Sequence, residues 1–159
     1  DTLQYATGYK DAEKRLETMK IANPVYYIIS GTKPGEGAVI TRSGRGLLEV
    51  GLHTEDMWRL GEESRMDKKG KNPKGWDPQP EWLRLNANYD HWLPAPATDN
   101  RRGPGVKHLK AMGQPESGAD FQKLWDVMKM YPTFNKFTNI TTVMHPASSR
   151  FDTTVWFWE

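Results

Sequence analysis

Side chains that could bind and polarise a substrate are concentrated between residues 88 and 102. The stretch begins with Asn88-Tyr89-Asp90-His91-Trp92, and after a segment with two prolines it continues as Asp99-Asn100-Arg101-Arg102. A core strand cannot bury this many charges unpaired, whereas a rigid loop can direct polar groups at a ligand. The sequence therefore predicts a stiff, polar, ligand-facing loop.

Asn88 and Arg101 have the clearest chemical roles in this loop. The amide of an asparagine at the end of a strand can donate to an oxyanion that develops during acyl transfer. An arginine offers a planar, permanently charged fork that can hold a carboxylate or order a site. The alternative is structural, with Asn88 capping a turn and Arg101 paired with Asp99 or Asp90. Residue chemistry alone leaves both interpretations open.

Other kinds of catalytic site find little support. The chain has no cysteine, which excludes disulfides, thiolate metal ligands and a cysteine nucleophile within it. No serine lies in a G-x-S-x-G elbow, and no two of the four histidines have the spacing of metal ligands on a helix. The glycine-rich stretch Gly31–Gly37 lacks the Lys-Ser/Thr of a phosphate-binding loop. We therefore expect neither a metal nor a cofactor.

Length and charge narrow the class of protein further. A chain of 159 residues suits one domain, residues 1–159, within which the charged, Gly- and Pro-interrupted stretch 53–81 forms an excursion from the sheet. A net charge of +2 does not indicate a basic surface for nucleic-acid binding. No run approaches the ~18 apolar residues of a transmembrane segment, so membrane contact would be peripheral.

The first half of the chain predicts one helix and three strands. Apolar residues at spacings of three and four predict a helix from Tyr9 to Met19. The apolar run Val25–Ile29 and the segment Ala38–Thr41 flank a glycine-rich turn, which indicates an antiparallel hairpin. A third strand is predicted from Leu47 to Leu52.

The second half combines helices and strands in a similar way. One helix begins at Pro104 and ends at Gly113, and another begins between Ser117 and Asp120. Three further strands are predicted at Trp82–Ala87, Asn139–Met144 and Thr153–Trp158. This order of elements is typical of an α+β fold with an antiparallel sheet.

Several segments form a recognisable set in a fixed order. They are Tyr9–Arg42, the Asn-Tyr-Asp-x-Trp motif of residues 88–92, the Asp-x-Arg-Arg motif of residues 99–102, Lys107–Ala111 and Asn135–Met144. Together they resemble the carboxy-terminal portion of the β-subunit of the acid ceramidase and N-acylethanolamine acid amidase family. The resemblance implies an N-terminal-nucleophile hydrolase fold, an αββα sandwich to which this chain contributes antiparallel strands and helices.

The resemblance also implies a chemistry. Members of the family hydrolyse the amide bond of N-acyl lipids, ceramide or N-acylethanolamine, with an N-terminal cysteine whose own α-amino group serves as base. It assigns Asn88 to the oxyanion site and Arg101 to ordering the site. Supporting roles fall to the other motif residues, Tyr89, Asp90, Trp92 and Arg102. A lysosomal or other luminal location is implied as well, and the sequon Asn139-Ile140-Thr141 would permit N-glycosylation there.

Because the chain has no cysteine, two hypotheses about its function are open. In the first, the chain belongs to a working lipid amidase whose nucleophile half is supplied by a companion polypeptide or another segment. In the second, the fold serves as a non-catalytic structural subunit of a larger assembly. The excursion at 53–81 and the aromatic tail Val155–Glu159 would then make the contacts.

Overall fold

The chain forms two compact units. They comprise Asp1–Glu62 and Glu63–Glu159, and each has its own small sheet. The computed structural model describes residues 2–43, 53–62, 78–114 and 121–158. The single-domain organisation that the length favours stays a prediction.

The first unit places two helices before a three-stranded antiparallel sheet. The helices are α1 (Thr2–Tyr5) and α2 (Tyr9–Thr18), and the strands are β1 (Val25–Ser30), β2 (Gly37–Ser43) and β3 (His53–Arg59). The sheet order is β1-β2-β3, and Ile40 pairs with Tyr27 on one side and Met57 on the other. The predicted helix and hairpin are thus confirmed.

The central strand β2 is buried along almost its whole length, as a strand with neighbours on both sides should be. Its core cluster contains Ala38, Ile40 and Met57, against which Leu16, Tyr27 and Ile29 pack. Arg42, also buried, donates from Nη2 to the Met19 carbonyl at 2.9 Å and from Nη1 to the Leu16 carbonyl. A cation at a helix C-terminus is favourable, so Arg42 joins the end of α2 to the sheet.

The third strand lies further along the chain than the sequence predicts. The predicted strand Leu47–Leu52 falls outside the described residues, and β3 occupies His53–Arg59, where the pattern places the start of the excursion. Arg59 of β3 donates to the buried carboxylate of Glu13 on α2 at 2.9 Å, and Lys10 donates to its other oxygen at 2.9 Å. Burial raises the pKa of Glu13, but these hydrogen bonds outweigh burial and leave its pKa below the usual value.

The second unit combines two helices and a two-stranded antiparallel sheet. The helices are α3 (Arg102–Met112) and α4 (Phe121–Met128), and the strands are β4 (Ile140–His145) and β5 (Arg150–Val155). Leu83, Leu109 and Val127 form the centre of its core. No helix in the described part of the chain is long and apolar enough to cross a membrane.

Both predicted helices exist, although their starts differ from the predicted ones. Helix α3 begins at Arg102, before Pro104, and stops at Gly113, whose φ of 81° suits glycine and confirms the predicted end. The capping residues expected before α4 lie outside the described residues. The final strand, β5, begins and ends three residues earlier than predicted. The reason is the tight turn after β4, which consists of Pro146–Ser148 and of Ser149 in the left-handed conformation.

The predicted strand Trp82–Ala87 is wrong. In the structure this segment is an irregular chain that leads into the polar loop. The buried side chain of Gln79 makes the backbone hydrogen bonds that a neighbouring strand would otherwise make. Its Nε2 donates to the Leu85 carbonyl at 2.8 Å, and its Oε1 accepts from the Leu85 N–H at 2.6 Å. Gly105 of α3 lets Leu85 pack closely, because a Cβ there would lie 2.8 Å from the Leu85 side chain.

Candidate functional site

An open groove of about 990 Å³ crosses the second unit beside the start of α3. One wall is the polar loop of residues 88–101, and the other is formed by residues 131–137 together with Trp158. Its polar side chains include Asn88, Asp99, Asn100, Arg101 and Lys136, and its aromatic ones are Tyr89, Tyr131, Phe134, Phe137 and Trp158. The groove thus combines aromatic surface with hydrogen-bonding groups.

Asn88 is exposed and lines this groove. Its side-chain amide makes no hydrogen bond with any residue that the structure describes. The N–H₂ group of Asn88 is therefore available to a ligand in the groove.

Arg101 is held by the same carboxylate. Its Nε donates to Asp99 Oδ1 at 2.8 Å and its Nη2 to Oδ2 at 2.6 Å, while its backbone N–H donates to Oδ1 at 3.2 Å. The hydrogen bonds from the Arg101 guanidinium lower the pKa of Asp99 and raise that of Arg101. This is the pairing that the structural interpretation of the sequence allowed, and it leaves Arg101 in the groove wall with a fixed orientation.

Tyr89 and Arg102 stack behind Asn88 and Arg101. The Arg102 guanidinium is buried and lies 4.5 Å from the centre of the Tyr89 ring. The Tyr89 hydroxyl is also buried and meets no hydrogen-bond partner among the described residues. Burial raises the pKa of Tyr89, and the charge of Arg102 acts in the opposite direction. Both residues consequently support the loop from within.

The remaining motif residues do not line the groove. The Asp90 carbonyl accepts the Leu93 N–H at 3.0 Å, which closes a turn. The rings of His91 and Trp92 pack edge to face, with their centres 4.8 Å apart. Across the described ranges, no three His, Asp or Glu side chains come together in a way that could hold a metal ion.

Reasoning from the sequence gave Asp99 no role in the site beyond the Asp-x-Arg-Arg motif and a possible pairing with Arg101. In the structure Asp99 is that partner, and it lines the groove. The available signal was its spacing, because an aspartate two residues before an arginine at a helix start can turn back onto it.

Comparison with known proteins tests the resemblance that the sequence motifs carry. No protein-family model matches it. It is 36% identical to the N-acylethanolamine-hydrolyzing acid amidase of Mus musculus over 147 residues, and 37% identical to that of Oryctolagus cuniculus. It is 31% identical to the acid ceramidase of Mus musculus over 150 residues. The resemblance to the acid ceramidase and N-acylethanolamine acid amidase family is confirmed. These alignments cover 92–94% of the chain.

A solved structure supports the fold of the family. The N-acylethanolamine-hydrolyzing acid amidase ortholog of Caenorhabditis elegans matches 98% of this chain and 58% of its own, with a TM-score of 0.68 and 23% identity. The chain therefore has part of the α+β N-terminal-nucleophile hydrolase fold, as the sequence predicted. It spans about a third of the length of the curated relatives from this family (34% for the mouse amidase).

Proposed function

We propose that this chain supplies the oxyanion-binding side of a lipid amidase active site. The reaction is hydrolysis of the amide bond of an N-acyl lipid, ceramide or an N-acylethanolamine. The attacking group is an N-terminal cysteine provided by another segment or chain, and its α-amino group serves as base. Asn88 and Arg101 are the proposed catalytic residues, with Tyr89, Asp90, Trp92 and Arg102 in support.

One observation carries this proposal: the uncommitted amide of Asn88 in the groove wall. Attack on an amide carbonyl places negative charge on its oxygen, and a preorganised N–H donor stabilises that charge more than it stabilises the substrate. Asn88 has such a donor in the groove wall. Asp99 holds the Arg101 guanidinium in the same wall, where Arg101 would order the site.

The aromatic wall of the groove favours a lipid substrate. Phe134 packs against the indole rings of Trp156 and Trp158, with ring centres 4.8 and 5.2 Å away. Phe137 and Tyr131 also line the groove and are largely exposed. An acyl chain laid on these rings would bury apolar surface and leave its amide to the polar residues of the groove, which include Asn88.

Replacement of Asn88 tests the proposal directly. In the full protein with its cysteine-bearing part, we expect Asn88→Ala to lower kcat for N-acyl amide hydrolysis by ~10²–10³-fold. The matched control is Asn23→Ala, an exposed asparagine of the first unit, which should retain wild-type kcat. Equal activity of the two variants would remove Asn88 from the mechanism.

The source of the nucleophile can be examined by intact-mass analysis. The native protein is expected to contain a polypeptide or segment that starts with cysteine after autocleavage. If the native protein contains no such cysteine, the catalytic proposal fails.

A specific surface favours a second candidate function, a structural subunit in a larger assembly. The outward face of the β4–β5 sheet is apolar and exposed at Ile140, Met144, Phe151 and Val155. Such a face is typical of a surface that another chain covers. Wild-type protein that carries the cysteine but hydrolyses no N-acyl amide would support this function over the amidase.

We also propose a lysosomal or similar acidic lumen as the location. The support is the resemblance to relatives named acid amidase and acid ceramidase. Localisation of the tagged full protein by microscopy tests it, and a cytosolic distribution would contradict it.

A further inference from the structure

We propose that a second groove in this unit binds the anionic head group of a single-chain lipid. This groove lies along α3 and has a volume of about 680 Å³, which is within the range of small-molecule sites. Its ligand is an alkyl or acyl chain that ends in a carboxylate or a phosphate. The inference goes beyond the proposed amidase reaction, because no step of that reaction uses this groove.

The second groove is positively charged. Lys107, His108 and Lys110 line it from α3, and for these three residues we call it the cationic groove. None of the described residues that line it is acidic, and the sequence of α3 contains no acidic residue at all. The whole chain has 22 basic and 20 acidic residues, so this local excess of positive charge does not follow from composition.

The two lysines of the cationic groove are close neighbours on the helix. Lys107 and Lys110 are three positions apart, and side chains at that spacing lie side by side on a helix surface. Both are exposed, and neither ammonium group pairs with a carboxylate in the described part of the chain. Like charges at such spacings destabilise a helix. An anion bound to both would remove this repulsion and accept a charge-assisted hydrogen bond from each.

The surroundings of the cationic groove favour an amphiphile over a free inorganic anion. Asn100, Tyr131 and Pro132 line this groove and also the groove that contains Asn88 and Phe137, which we call the aromatic groove. The rings of Tyr131 and Phe137 are 76% and 79% exposed. A head group held by the lysines would thus have apolar surface for its chain in the adjoining groove, and burial of that surface would add to the affinity.

Two kinds of lipid share this chemistry. A fatty acid presents a carboxylate, and it is also the acyl product of amide hydrolysis. An alkyl or acyl phosphate presents a phosphate, which lysine binds as a point charge. Comparison of the two head groups on chains of one length therefore identifies the source of the ligand.

Calorimetric titration of the full protein tests the proposal. The ligands are decyl phosphate, decanoate and the neutral decanol, each below its critical micelle concentration. We expect at least one of the two anions to bind ~3–10-fold more tightly than decanol, because two exposed ammonium groups each contribute modestly to the affinity. The anion with the lower Kd identifies the head group.

Two matched double variants locate the charge effect. Lys107→Gln/Lys110→Gln should lose the preference, so that the anions and decanol bind within about twofold of each other. The control, Lys123→Gln/Lys129→Gln, removes two exposed charges of the same unit that line neither groove, and it should retain the preference.

A third variant locates the chain. Phe137→Ala should weaken the binding of all three ligands by a similar factor, because it removes apolar surface of the aromatic groove without changing the charge. If it leaves the affinity for the anions unchanged, the proposed placement of the lipid across both grooves is wrong.

The outcomes are distinguishable. Equal affinity of the wild type for all three ligands would overturn the inference, and so would equal losses of anion binding in the two double variants. A preference for an anion that only the Lys107 and Lys110 replacements abolish supports it. Because binding is measured and not turnover, a protein without amidase activity would overturn the proposed function and leave this inference intact.

Discussion

The guanidinium of Arg102 lies 4.5 Å from the centre of the Tyr89 ring and donates to the carbonyls of His91 and Leu93 at 3.2 and 2.7 Å. One buried side chain from the first turn of α3 thus satisfies backbone acceptors of the loop that carries Asn88. Asp99 holds Arg101 at the end of this loop, while Arg102 supports the loop from within.

Arg102→Ala should destabilise the protein by roughly 2–4 kcal/mol, because it removes the donor from the carbonyls of buried His91 and of Leu93 and leaves a void beside Tyr89. The free energy of unfolding from urea titration measures this. Arg150→Ala, which removes an exposed arginine of the same unit, should cost less than about 1 kcal/mol. Equal costs for the two variants would show that Arg102 does not support the loop.

Gln79→Ala should also lower the free energy of unfolding, by about 1–3 kcal/mol. The variant leaves both the N–H and the carbonyl of Leu85 without their side-chain partner. Within the described part of the chain, the exposed Gln122 bonds only to Asp126 on its own helix, so Gln122→Ala provides a surface comparison with an expected cost below about 0.5 kcal/mol. Urea titration compares the two, and similar midpoints would contradict a bridging role for Gln79.

The Asp99–Arg101 pair predicts a defined pH dependence. The folded pKa of Asp99 lies below its ordinary value of 3.8, chiefly because of the hydrogen bonds from Arg101. The ionised carboxylate therefore stabilises the folded state fully at pH above 3.8, and that stabilisation declines as the pH falls through the lowered pKa. The stability difference between wild type and Asp99→Asn should be constant from neutral pH to about 5 and shrink only below 3.8. Unfolding titrations at several pH values measure it, and a decline that is complete above pH 5 would contradict the assignment.

The sequon gives a prediction about modification. Asn139 is exposed and lies one residue before β4, whereas Thr141 is buried and accepts a hydrogen bond from Trp156 at 3.0 Å. If the protein passes through a secretory compartment, we expect a glycan on Asn139 that is added before the sheet closes. Treatment with an amidase specific for N-glycans should reduce its mass, and Asn139→Gln should abolish that change. An unchanged mass in the wild type would show that the site is not used.

Sequence patterns predicted the elements whose stability is mostly local. The hairpin of β1 and β2, helix α2 and the stop of α3 at Gly113 follow from apolar periodicity and from the backbone freedom of glycine. The segment Trp82–Ala87 was predicted wrongly because its weak alternation says nothing about Gln79, whose side chain occupies the place of a neighbouring strand.

The same division applies to the candidate site. The sequence by itself determined the kinds of groups present, the resemblance to a family, and the absence of a cysteine nucleophile from these 159 residues. Only the tertiary structure decided that Asn88 and Arg101 line one groove, while Asp90 and Trp92 stay outside it. The physical reason is that the loop is held against the start of α3 by Arg102, whose guanidinium donates to the carbonyls of His91 and Leu93. No local pattern of residues encodes hydrogen bonds between groups this far apart in the chain.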